Sequence, residues 1–179
     1  AILDKSHAGV MDLHEHDTIR IEELEKLGII PSKGFVEIGF RLPRLMKHYT
    51  ERYGVSSVGY DIVPLSILVG KHLGYDVRLH DISVIDDPID LFDRDLIVCY
   101  HVLEHTSYPS FVVSKLHTAM DEGAYLHVEV PIEPGVPRLQ SAHLFAFEQG
   151  DLRSILQEAG FQMISGSSLT HAAGPNIER

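Results

Sequence analysis

Short apolar runs alternate along the chain with longer stretches in which apolar residues recur every three or four positions. Phe35-Val36-Glu37-Ile38-Gly39 and Val58-Gly59-Tyr60-Asp61 carry the pattern of buried strands that end in a flexible or polar residue. Between them, Leu45, Met46 and Tyr49 mark one face of a helix, with Pro43 suited to its first turn and Gly54 placed for a left-handed cap. The three elements form a βαβ unit, and its second strand ends in an acid 22 residues after Gly39. That spacing belongs to nucleotide-binding units, in which the glycine permits a sharp turn beside a ligand and the acid accepts hydrogen bonds from ribose hydroxyls.

The same punctuation continues on both sides. Before the first strand, Asp17 or Thr18 is the expected cap of a helix carrying Ile21, Leu24 and Leu27, stopped by Gly28. After the second strand, Pro64 opens and Gly74 closes a helix whose expected buried stripe is Leu65, Leu68, Val69 and Leu73. Tyr75 to Leu79 alternates like a strand near a sheet edge and leads to His80-Asp81-Ile82. A loop rich in Asp and Pro precedes Leu96-Ile97-Val98-Cys99-Tyr100, whose continuous apolarity marks a strand covered on both faces. A helix from Pro109 to Met120, a strand from Ala124 to Val130, an irregular segment with Pro131, Pro134, Gly135 and Pro137, a helix from Asp151 and a strand Phe161-Gln162-Met163-Ile164 complete the order. Alternation of this kind predicts an α/β fold, a mostly parallel sheet with helices on both faces and right-handed crossovers. In such sheets ligands bind beyond the carboxyl ends of the strands, where Glu37, Gly39, Asp61, Asp81, His101 and Glu104 converge.

Bulk composition narrows the class. With 179 residues, 44% of them hydrophobic, the chain suits one core, read as an N-terminal helical or lid segment over residues 1–33 and a single α/β domain over 34–179. Fifteen basic against 26 acidic residues give a formal charge of −11, which disfavours nucleic acid as a partner, and a small-molecule substrate is expected. The apolar runs are strand-sized, short of the roughly 18–20 residues of a membrane span, so no membrane partner and a cytoplasmic location are expected. Cys99, the only cysteine, reads as a small buried hydrophobe; it excludes an intrachain disulfide and a thiolate-rich zinc site. Among the 12 histidines, His14 and His16 flank Glu15 without a third ligand at suitable spacing, and no metal site is expected.

Taken together, Val36-Glu37-Ile38-Gly39, Gly59-Tyr60-Asp61-Ile62, His80-Asp81-Ile82, Asp95 to His105, His143-Leu144-Phe145-Ala146-Phe147-Glu148 and Leu156-Gln157-Glu158-Ala159-Gly160-Phe161 resemble the class I S-adenosylmethionine-dependent methyltransferases, over about residues 35–169. The likeness is to the small-molecule branch built on a bare Rossmann-like domain, a three-layer sandwich. It implies S-adenosyl-L-methionine as cofactor, with Glu37 and Gly39 at its methionine end, Asp61 at the ribose, Asp81 at the adenine amino group, Ile62 and Ile82 against the ring, and Tyr100 and His101 beneath the sulfonium. His143, foremost, with His105 and His101, are the candidate bases toward an acceptor hydroxyl or amine.

Two departures stand out. Where the family usually has further glycines, this chain has Arg41 and Pro43. Three readings of Arg41 stay open: it pairs with the cofactor's carboxylate, turns to solvent, or blocks a lost site. The chain also leaves little room after Ser165 for the family's usual final antiparallel strand. Rival readings are a non-catalytic binding scaffold, motivated by Arg41 and Pro43; a zinc peptidase using His101-Val102-Leu103-Glu104-His105, which needs both histidines on one helix; and a nicotinamide dehydrogenase, which lacks the full glycine fingerprint.

Overall fold

The computed structural model describes residues 9, 11–132 and 142–166. Pro134, Gly135, Pro137, Leu169 and the expected room for a final strand lie outside the described residues. Strands β1 (Gly34–Ile38), β2 (Ser56–Asp61), β3 (Asp76–Leu79), β4 (Leu96–Tyr100) and β5 (Tyr125–Glu129) form one sheet in the order β3-β2-β1-β4-β5. Every pairing in it is parallel. The helices are α1 (Glu15–Lys26), α2 (Arg44–Tyr53), α3 (Pro64–His72), α4 (Pro109–Ala119) and α5 (Asp151–Glu158).

Strand periodicity sorts the core into two layers. On one face, Phe35, Leu96 and Val98 pack with Ile21 and Leu24 of α1, Leu45, Met46 and Tyr49 of α2, and Ile67 of α3. On the other, Val36, Ile38, Ile97 and Cys99 pack with Val112, Val113 and Leu116 of α4 and Leu156 of α5. Because β1 and β4 are covered on both sides, their side chains are apolar almost throughout.

A single residue ties three strands together at the edge where they begin. The Asp95 carboxylate accepts hydrogen bonds from Ser32 N and Oγ (both 2.7 Å), Lys33 N (3.0 Å) and Gly34 N (3.1 Å). Its backbone donates to Gly34 O at 3.1 Å and accepts from Tyr125 N at 2.9 Å. Burial alone would raise its pKa, but these donors outweigh it and hold the carboxyl below the ordinary value.

Three sequence expectations are corrected. Helix α1 begins at Glu15, with His14 rather than Asp17 or Thr18 at the cap, because the Asp17 carboxylate reaches back to His14 N at 3.2 Å as the acid of a capping box. Helix α3 does not bury Leu65 and Leu68, which are 68% and 66% exposed; it buries Ser66, Ile67 and Gly70. The reason is close approach: a Cβ at Gly70 would lie 2.8 Å and 2.9 Å from the methyl groups of Val77 on β3. Residues 161–164 form no strand. Phe161 and Met163 do turn inward while Gln162 and Ile164 turn out, but Phe161 packs edge-on against His117 of α4 (4.9 Å between ring centroids) instead of joining a ladder.

Candidate active site

Parallel strands bring the ends of β1 to β5 to one edge, and the loops there build a cleft of about 140 Å³. It is lined by Glu37 of β1 with Gly39, Phe40 and Leu42 after it, Arg44 and Leu45 of α2, Tyr100 of β4 with His101 after it, and His14, Asp17 and Arg20 from α1 and its cap. The N-terminal helix is thus a wall of the cleft.

The first loop turns as its glycine dictates. Gly39 has φ +77°, and a Cβ there would collide with the Val102 side chain. Arg41 also takes a left-handed backbone, φ +48°, held by its amide donating to Asp61 Oδ2 at 2.8 Å. The other Asp61 oxygen accepts from Val63 N at 2.8 Å. This buried carboxylate therefore shapes the loop, and each of its oxygens keeps acceptor capacity for a hydroxyl. The Arg41 side chain is exposed and is not among the residues lining the cleft, so it does not plug it.

Glu37 is the buried acid of the cleft. It points to the α2 side, where the Met46 amide, one of the unpaired donors of the helix start, hydrogen-bonds to it. Burial first, with Asp17 adding to it, raises its pKa well above the usual carboxylate value, and Oε2 has no hydrogen-bond partner.

Across the cleft, α1 and β5 meet through a pair that local patterns did not signal. Arg20 donates from Nε to Glu129 Oε2 and from Nη2 to Oε1, each at 2.8 Å, contacts Asp17 at 3.2 Å, and lies 4.2 Å over the Tyr100 ring. The only sequence hint was an arginine beside Ile21 on the buried face of α1. His101, with φ +53°, sits between Glu104 (Nδ1 to Oε1, 3.3 Å) and Glu129 (Nε2 to Oε1, 3.0 Å). Those two carboxylates, Glu104 first, raise its pKa to about 9. Tyr100 Oη lies 2.6 Å from His127 Nδ1.

Of the other expected residues, Asp61, Ile62, Asp81 and Ile82 are not among those lining the cleft. Ile62 is exposed just past β2, while Ile82 is buried in the core beneath the β3 end. Asp81 caps its own turn, accepting from Ser83 N at 2.9 Å and Oγ at 2.6 Å. His105 and His143 are brought together, with ring centroids 4.9 Å apart, but neither lines the cleft. Residues Leu103–His105 form one 3-10 turn and His101 precedes it, so the two histidines of the peptidase pattern do not share an α-helix.

Comparisons with known proteins agree with this architecture. A sequence model of the methyltransferase domain matches residues 22–166. No curated protein matches the sequence. Among solved structures, the [4+2]-cyclase SpnF aligns with a TM-score of 0.67 at 15% identity, covering 84% of this chain and 59% of that one. A SAM-dependent methyltransferase from Archaeoglobus fulgidus aligns at 0.63 and 18% identity, covering 81% and 69%. Human N-acetylserotonin methyltransferase in complex with SAM aligns at 0.55 and 18% identity, covering 72% and 41%. The chain thus spans less than two thirds of the cyclase and of the human enzyme. With the family match spanning most of its length and the parallel five-stranded sheet in place, the chain belongs to the methyltransferase-domain family and has the Rossmann-like fold of the S-adenosylmethionine-dependent methyltransferases.

Proposed function

We propose that this chain transfers a methyl group from S-adenosylmethionine to an oxygen or nitrogen of a small-molecule acceptor. The observation that carries the reading is the cleft itself, with an unpartnered buried Glu37 Oε2 and a Gly39 turn that has no room for a side chain; outside its lining, Asp61 closes β2 and Asp81 follows β3 in the same sheet. These residues fit the cofactor. Glu37 and Gly39 would take its amino-acid end, Asp61 the ribose hydroxyls, Asp81 the adenine amine and exposed Ile62 the ring face, with buried Ile82 supporting from below. Arg41, exposed on the loop after β1, would be available to meet the carboxylate.

When bound, the cofactor supplies a methyl group on a sulfonium, a leaving group that needs no acid assistance. What remains for the chain is to orient and to exclude water. The wall formed by α1 and the Arg20–Glu129 pair closes one side. Tyr100 and His101, which line the cleft, would lie beneath the methyl. With a pKa near 9, His101 is charged at neutral pH and suits the role of a fixed cation orienting an acceptor better than that of a base. His105 and His143 remain the imidazoles close to it through Glu104. The net charge of −11 favours a small acceptor over nucleic acid.

One observation favours the scaffold reading: both Asp61 oxygens already accept a loop amide. Calorimetry decides between them. The transferase reading expects S-adenosylhomocysteine to bind with a submillimolar Kd, weakened about tenfold or more by Asp81→Ala, with NAD not binding. A folded protein that ignores S-adenosylhomocysteine would leave only the scaffold.

A further inference from the structure

We propose that Glu104, His105 and His143 form a binding site for a divalent cation of the zinc class, next to the cleft but separate from the cofactor-binding residues. One ligand atom from each residue lies within 4.8 Å of the others. An ion held about 2.1 Å from each donor needs them about 3.4 Å apart, so the donors would draw together on binding.

Three observations distinguish this group from chance proximity. The Glu104 side chain is 1% exposed, and its Oε2 has no hydrogen-bond partner. A buried carboxylate oxygen left unmatched is costly, and a cation offsets that cost. His105 Nδ1 lies 2.7 Å from Ala142 O, and because a carbonyl only accepts, Nδ1 carries the proton. The tautomer is thereby fixed with the Nε2 lone pair as the ligand, the arrangement by which backbone carbonyls orient metal-binding histidines. Finally, hydrogen bonds on both sides fix the backbone around His143. Ala142 before it is held by the His105 ring, and Leu144 and Phe145 after it both donate to Glu104 O, at 2.7 Å and 3.0 Å. Residues 38 positions apart in sequence, His105 and His143, are thus held in one cluster.

Two imidazoles and one carboxylate favour zinc or a neighbouring first-row ion over magnesium or calcium, which prefer all-oxygen shells. Solvent completes the shell on the exposed His105 side. This departs from the sequence expectation of no metal, which considered only His14 and His16 and, for the peptidase pattern, the pairing of His105 with His101. His101 is engaged instead by Glu104 and Glu129. The glutamate that could bind the ion thus also touches the cleft floor.

Protein stripped with a chelator and titrated calorimetrically with Zn2+ tests the site. One equivalent should bind with a Kd of about 1 μM or tighter. His105→Ala and His143→Ala should each weaken it about tenfold or more, while His72→Ala, on the exposed end of α3, should not. The histidine variants change less buried side chains than Glu104, so circular dichroism should show them folded. No stoichiometric uptake by folded wild-type protein, or equal affinity in wild type and His143→Ala, overturns the proposal. S-adenosylhomocysteine binding by the stripped protein reports on the cleft alone, so the metal site and the transferase reading fail separately.

Discussion

At the scale of single residues, buried polar groups are those whose titration and shape have measurable effects. Desolvation, the largest cause, lowers the His127 pKa to about 4, so the folded chain keeps this imidazole neutral while the unfolded chain protonates it near 6.5. The unfolded state therefore binds the extra proton between these values, and stability falls as pH drops from about 6.5 to about 4, by an amount on the order of 2–3 kcal/mol for this group. Urea midpoints measured across that range should show His127→Gln, which cannot titrate, losing less stability on acidification than the wild type. Gly39 gives a second test. Gly39→Ala combines a left-handed φ with a collision against Val102 and should cost about 1–3 kcal/mol in denaturant unfolding. Pairing it with Val102→Ala should cost less than the sum of the two changes, since the second removes the group the new methyl meets. The positions of Glu37 within β1, Asp61 at the end of β2 and Asp81 just past β3 were legible from the strand patterns around them. Arg20 and Glu129 were not, since their bond spans 109 positions and neither neighbourhood shows it.

Elements were more legible than their faces. Pro64, Gly54 and Gly74 punctuate the chain where helices start and stop, and the continuous apolar run of β4 announced its central place. Helix α3 shows the limit of periodicity: it presents a large-residue stripe and a small-residue one, and the small one wins because it lets the helix approach β3. Gly70→Ala should accordingly destabilise by about 1–3 kcal/mol, whereas Leu68→Glu should stay within about 0.5 kcal/mol. Equal effects of the two changes in chemical denaturation would return the buried face to the leucines. Residues 161–164 fail differently. Their alternation is real, but an alternating segment becomes a strand only if a neighbour offers a ladder, and here an aromatic contact with α4 takes that place.

For the whole molecule, the prediction concerns coupling of the cleft to global stability. A ligand that binds only the folded chain stabilises it by mass action, about 2.7 kcal/mol at one hundred times its Kd. For a chain of this size that corresponds to a Tm increase of roughly 5–10 °C with saturating S-adenosylhomocysteine, and scanning calorimetry with and without it measures the shift. An unchanged Tm at such saturation would contradict binding to the folded state. The α/β class and the family followed from the order of elements, which no single residue encodes; α1 was expected as a helical or lid segment, but that it brings His14, Asp17 and Arg20 to the cleft depends on where a helix outside the βαβ repeats comes to rest. The Asp95 clasp has its own bearing on this scale. By pinning the beginnings of β1, β4 and β5 it sets how far each strand extends, and about 16 Å onward that setting decides whether Gly39, His101 and Glu129 stand level with one another. Alignment at the chemical end of the sheet is therefore inherited from a knot at the opposite end, and a substitution there would blur the cleft without touching it.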